Sequence, residues 1–442
     1  MRLTVIGGGG FRVPLVYGAL RNEPEVREVV LYDTDARRVR VVAGVLAAMR
    51  RAADGAGPPV RVAGGLDEAL RDTDFVFSAI RVGGTAGRMR DERVPLAEGV
   101  LGQETVGAGG VLYGLRTLPV AVALAERVRA VAPGAWVINF TNPAGMVTEA
   151  MARVLGPRVI GICDSPVGLI RRAARAAGAD PDAPDLSYDY LGLNHLGWLR
   201  RLTVGGRDLL PGLLADPGAL AGFEEGRLFG APFLAALGSL PNEYLHYYYF
   251  RRETLHAVRS AAATRGEFLD RQQGGFFAEA DGLPEDEAYA LWQRVRHERE
   301  ATYLAENRAA SGGWQRDAQD LDGGGYENVA LALMRAIAHD RPATLVLNVP
   351  GGGAVPVLDA DAVVEVPCEV GAFGARPLPV APPDDHQAGL MLTVKAVERA
   401  AIDAASTGSR AAALRALALH PLVDTASAAA RILDAAGWPA RG

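Results

Sequence analysis

Cysteine is scarce in this 442-residue sequence: Cys163 and Cys368 are its only two. A pair so far apart makes no disulfide framework, and a reducing, cytoplasmic setting is the expectation. Lysine is scarcer still. Lys395 is the single lysine among 46 basic residues, a skew that goes with the heavy alanine and glycine content and reads as coding bias in a GC-rich genome. Positive charge is not in excess either. The net charge is -6 with a pI near 5.8, which excludes the basic footprint of a partner for nucleic acid or an anionic membrane. No stretch approaches the ~20 apolar residues of a membrane span. "MRLTVIGGGG" runs straight into a strand, without the charged, apolar and cleavage regions of a signal peptide. Solenoid repeats and low-complexity segments are absent as well.

What is present is an ordinary globular composition, 49% apolar and 22% charged. The length exceeds what one hydrophobic core serves, so two domains are expected. "RLTVIGGGG", "EVVLYDTD", "VRVAG", "FVFSAI", "AWVINF" and "RVIGIC" are short strands alternating with helical patterns. That rhythm implies βαβ units: a Rossmann-type parallel sheet covered by helices on both faces, over 1–165. Residues 166–442 read as a mixed, mostly helical α/β lobe. There "LSYDYLGLN" and "WLRRLTVGG" are strands, with a hairpin turn at Gly205 and Gly206. Glycine-rich joints such as "QQGG" and "DGGGY" follow. A strand-like "DAVVEVPCEV" then precedes a helical tail from about Gln387.

Gly7, Gly8, Gly9 and Gly10 lie between the first strand and a helix. Glycine there lets the backbone approach a pyrophosphate, which free N–H groups at the helix start would hold. Asp33 ends the second strand, where a carboxylate accepts hydrogen bonds from a ribose diol and repels a 2′-phosphate. The combination predicts NAD rather than NADP. "INFTNP" ends another strand on the same edge, so Asn139 and Asn142 are expected to face the nicotinamide side of the crevice, or else to satisfy turn backbone.

Cys163 and Asp164 close a further strand, and His195 follows inside a second apolar stretch. Alone, either ligand-type residue reads as a core side chain. Together they suit a divalent metal with two protein ligands and open positions, the layout of a catalytic rather than a structural site. The segment 81–110 reads as a long glycine-rich loop, with Arg81 and Arg88 as candidate phosphate forks.

In order and spacing these motifs resemble the NAD- and metal-dependent family 4 glycoside hydrolases. The resemblance is carried by the glycine-rich start, "RVGG", "GQET", "INFTNPAG", "GICDSP", "GLNHLGW", "YLHYYY", "VVEVPCEVGAFGARPLP" and "HPLV". It is closest to the 6-phospho-β-glucosidases, members of an NAD-dependent family that stands apart from the two-carboxylate glycosidases. The resemblance implies oxidation at C3 by NAD, deprotonation at C2, elimination of the C1–O bond, addition of water and re-reduction, helped by Mn²⁺. It implies Cys163 and His195 as metal ligands. Asn142, Arg88, Arg81, Arg265, Glu104 and Asn194 would meet a phosphorylated glucoside or disaccharide. Tyr244 would be the C2 base, with Tyr247, Tyr248 and Tyr249 crowding the same stretch. Asp164 matches the acid of the 6-phospho-α-glucosidases, where the β-type commonly has asparagine. The anomer therefore stays open, as does action on unphosphorylated glycosides. A homodimer or homotetramer is implied too. Outside the family, the alternatives are a 2-hydroxy-acid dehydrogenase, which needs no metal, and a non-catalytic NAD-binding sensor.

Overall fold

The computed structural model describes residues 1–317 and 325–438; most of the "DGGGY" joint lies outside the described residues. The first strands are β1 (Arg2–Ile6), β2 (Glu28–Tyr32), β3 (Val60–Val62), β4 (Phe75–Ser78), β5 (Trp136–Asn139) and β6 (Val159–Gly161). All six pair in parallel, in the order β6-β5-β4-β1-β2-β3. Buried on both faces, they carry near-continuous apolar runs such as Leu3, Val5 and Ile6 or Phe75, Val76 and Phe77. Helices connect them. The helix Ala36–Arg51 is started by Asp35, whose carboxylate accepts from the Arg37 and Arg38 N–H groups. The Rossmann-type arrangement is therefore present.

The sheet does not stop at residue 165. It continues through β7 (Ser187–Leu193), β8 (Leu196–Val204), β9 (Arg207–Asp208), β10 (Leu240–Pro241), β11 (Ala343–Pro350), β12 (Val363–Gly371) and β13 (Gly374–Pro377). These strands are antiparallel, and β11 docks beside β6, giving the run β10-β8-β7-β12-β11-β6. Gly205 and Gly206, both with left-handed φ, make the expected turn between β8 and β9. The chain ends in helices, of which Asp385–Thr407 opens on a capping box between Asp384 and Gln387.

Four expectations need correcting. Residues 81–110 are not one long loop, because Gly84–Ala97 forms a helix. Its inward face carries Arg88, Asp91 and Glu92, so the apolar periodicity that marks a helix is missing. The strand read as "LSYDYLGLN" stops at Leu193, one residue short of Asn194. With Asn194, His195 forms the two-residue turn between β7 and β8, and its φ is +62°. The strand β11 has no counterpart among the expected strands. Finally, the 25-residue helix Gly107–Val131 does reach the length and apolarity of a membrane span. Most of that apolar window (72%) is buried inside the fold, as befits a core helix.

Candidate active site

A cavity of about 850 Å³ opens at the carboxyl ends of the parallel strands. Of the residues singled out above, Gly10, Arg81, Arg88, Glu104, Asn142, Cys163, Asp164, His195, Tyr244 and Arg265 line it. They come from segments spread over most of the chain. Ten arginines and six carboxylates share this lining, so an acidic protein surrounds a cavity with a surplus of cations. Such a surplus focuses anionic ligands.

Cys163 follows β6 and His195 sits on the β7–β8 turn; both are buried, at 6% and 5% exposure. Burial pushes the Cys163 thiol well above its ordinary range, and the nearby carboxylates of Glu365 and Asp164 push it further. Burial holds His195 down to about 4, so its imidazole is neutral. The protein's own charges thus favour a neutral thiol, and a cation between these groups is what would make it a thiolate. No cluster of three or more His, Cys, Asp or Glu side chains arranged for a metal exists among the described residues. A two-ligand open site is what the donor set can offer. Both cysteines are free, and Cys368 is a fully buried core residue of β12.

The ring of Tyr244 stacks on His195, with centroids 3.7 Å apart. The hydroxyl of Tyr303 lies 3.2 Å from that of Tyr244 and 3.4 Å from Oε1 of Glu243. Burial raises Tyr244 well above the usual phenol range, and Glu243 adds to the rise. The lowered value that a tyrosine base requires must come from an added cation. Of the competing tyrosines, Tyr247 also lines the cavity. Tyr248 packs beside His420, while Tyr249 bonds the Trp198 indole and His386. Asp164 precedes the helix Ser165–Ala176 without capping it, and its Oδ2 lies 3.5 Å from Nη2 of Arg12. That carboxylate stays available to the cavity.

Arg88 is not an open fork. Its Nε donates to Glu92 at 2.8 Å and its Nη1 to Glu104 at 2.5 Å. Arg81 pairs with the other oxygen of Glu104. Between two guanidinium groups, Glu104 is held at about 2 although it is largely shielded from solvent. Arg265 differs. It donates only to Thr302 Oγ1 and the Arg299 carbonyl, with no carboxylate in ion-pair contact among the described residues. Burial and the neighbouring cations Arg299 and Arg88 push it down to about 10.

Three further placements correct the expectations. Asn139 does not face the cavity: fully buried, its amide donates toward the Thr141 and Ala144 carbonyls and Thr148 Oγ1, so it organises the turn. Asn194 turns inward to Glu365. In the glycine loop the N–H groups are already used: Gly7 and Gly8 donate to the Tyr32 carbonyl, Gly9 to Asp33 and Gly10 to the Gly7 carbonyl. Gly7 has φ +87°, and a Cβ there would meet the Ala79 carbonyl oxygen at 2.5 Å. The glycines shape the bend, Asp33 clamps it, and Gly10, Phe11 and Arg12 reach the cavity. Sequence reasoning missed Arg12, Glu243, Arg299 and Tyr303. Arg12 and Glu243 adjoin quoted motifs, which was a usable signal; Arg299 and Tyr303 lie in a stretch with no motif.

Residues 2–179 match the sequence profile of family 4 glycosyl hydrolases, and residues 190–423 match the C-terminal domain of the same family. The chain belongs to glycoside hydrolase family 4. As a family 4 member it is 35% identical to the 6-phospho-beta-glucosidase of Escherichia coli, over 96% of this chain and 92% of that one. It is 32% identical to 6-phospho-alpha-glucosidase 1 of Lacticaseibacillus paracasei, over 98% and 95%. Its fold superposes on the 6-phospho-beta glucosidase of Thermotoga maritima solved with manganese, NAD⁺ and glucose-6-phosphate. That TM-score is 0.81 at 26% identity, over 99% and 98% of the two chains.

Proposed function

We propose that this family 4 enzyme hydrolyses 6-phospho-β-glucosides in the cytoplasm by NAD-dependent oxidation, elimination and addition. The observation that carries this is the convergence of Cys163, His195 and Tyr244 on a cavity lined by an excess of arginine. When bound, NAD supplies the reversible oxidation at C3, and a divalent cation such as Mn²⁺ supplies positive charge that stabilises the enediolate. The thiol and imidazole are the donors that would hold the cation, a borderline-soft set that fits such an ion. Gly10 and Arg12 lie where the dinucleotide's pyrophosphate is expected, with Asp33 at the ribose end.

The chain's own groups divide the remaining work. Tyr244 takes the C2 proton, and Tyr303 orients its hydroxyl. Asn142 bonds sugar oxygens, and Arg265 meets the 6-phosphate beside Arg299 and Arg88. Glu104 holds Arg81 and Arg88 in place. As the C1–O bond breaks, Asp164 donates a proton to the departing oxygen. Water then adds at C1, its proton passing to Asp164, and Tyr244 returns the C2 proton.

A second reading, cleavage of 6-phospho-α-glucosides, is favoured by Asp164 itself, an acid at the helix start that caps no backbone N–H. The test is a panel of α- and β-linked nitrophenyl glucosides, each with and without a 6-phosphate, assayed with NAD⁺ and Mn²⁺. The 6-phospho-β compound is expected to turn over fastest, with activity lost in EDTA and regained on adding Mn²⁺. Indifference to chelation, or preference for unphosphorylated sugars, would sink the proposal.

A further inference from the structure

Glu365 is fully buried in the middle of the sheet. Its Oε1 accepts from Asn348 Nδ2 at 2.9 Å and Asn194 Nδ2 at 3.1 Å; its Oε2 accepts from the Tyr190 hydroxyl at 3.1 Å. No cation forms an ion pair with it among the described residues. A buried carboxylate held only by neutral donors is costly, and such an arrangement calls for an explanation.

The register supplies one. Gly161 on β6 faces Asn348 on β11, which faces Glu365 on β12, then Gly192 on β7 and Gly197 on β8. This row crosses the sheet where it is narrowest, because β6 meets β11, and β12 meets β7, through one register pair each. The glycines make room for the polar groups. A Cβ on Gly161 would come within 2.8 Å of the Asn348 Cβ, and one on Gly197 would run into the Tyr190 hydroxyl. One end of the row lies two residues before Cys163. The other end, Gly197, lies two residues after His195, which holds a left-handed φ in a turn beside Asn194, the donor to Glu365.

We propose that Glu365 is the positioning residue of the cation site: through Asn348 and Asn194 it sets the spacing between Cys163 and His195, and its charge helps retain the ion. This rests on the reading of Cys163 and His195 as cation ligands. Outer partners of metal ligands orient them and tune affinity in this way.

The test uses full-length wild type, Glu365→Gln, Asn194→Ala and Cys163→Ser, each freed of metal with a chelator. Free Mn²⁺ is followed by electron paramagnetic resonance during titration, and Co²⁺ is added separately to read the thiolate charge-transfer band. Glu365→Gln is expected to bind Mn²⁺ about 10–100-fold more weakly and to shift the Co²⁺ band, with NAD⁺ affinity unchanged. Asn194→Ala, which frees the turn and spares the sheet interior, is expected to weaken Mn²⁺ about 10-fold. Wild-type Mn²⁺ affinity in Glu365→Gln, or an equal loss of NAD⁺ affinity, overturns the proposal. If Glu365→Gln does not fold, wild-type affinity in Asn194→Ala overturns it instead. Should Cys163→Ser bind Mn²⁺ as well as wild type, the ligand reading fails and this proposal with it. Loss in Cys163→Ser with retention in Glu365→Gln removes only the role of Glu365.

Discussion

The imidazole of His195 lies flat against the phenol of Tyr244, the two planes only 10° from parallel. One comes from a strand turn and the other from a short helical segment after β10, so the contact joins the proposed ligand to the proposed base. Tyr244→Phe keeps the ring and the stack and deletes only the hydroxyl. Turnover is expected to fall about 10²–10⁴-fold, the usual worth of a positioned base, with Mn²⁺ affinity unchanged. Deuterium uptake at C2 of the sugar in heavy water, followed by NMR, checks the assignment. Undiminished uptake would transfer the role to Tyr247.

Arg265 and Arg88 should respond differently to alanine. Arg265→Ala removes a guanidinium that pairs with no carboxylate among the described residues. It is expected to raise KM for the 6-phosphoglucoside about 10–100-fold, the value of charge-assisted hydrogen bonds, and to leave KM for the free glucoside alone. Arg88→Ala removes the ion-pair partner of Glu92 and one of the two partners of Glu104. Its main effect is expected on thermal stability. Steady-state kinetics alongside melting curves separate the two.

Acid should expose the contribution of Glu104. Its carboxyl is held at about 2 in the folded chain against an ordinary 4.5. A depressed folded value means stability that is present above about pH 4.5 and drains away as pH falls toward 2. The contribution is on the order of 3 kcal/mol. Urea unfolding at several pH values across that window should show a steeper acid loss for wild type than for Glu104→Gln; parallel curves would refute the assignment.

The lone lysine is a structural keystone. Lys395 bonds Glu149 at 2.8 Å and Glu398 at 2.5 Å, all three buried. Lys395→Met leaves two carboxylates facing each other without it, at an expected cost of about 3–5 kcal/mol. Adding Glu398→Gln should recover part of the loss. Urea denaturation of the single and double variants measures both, and an unchanged midpoint in the single variant would contradict the account.

Much of the cofactor half could be read directly, because parallel strands buried on both faces announce themselves as apolar runs ending in glycine or asparagine. Family motifs likewise placed Cys163, His195 and Tyr244 together before any fold was known. Legibility ended where polar groups face inward. The helix Gly84–Ala97 hid because its buried face is Arg88, Asp91 and Glu92. Asn139 was read as facing a ligand, whereas its amide is spent on its own turn. Arg299 and Tyr303 enter the cavity only through tertiary packing, which no local spacing encodes.

Strands from both halves of the chain are laced into one sheet, joined where β11 docks beside β6. That continuity suits the proposed chemistry, in which a hydride departs and comes home within a single turnover: the dinucleotide would stay seated from one round to the next.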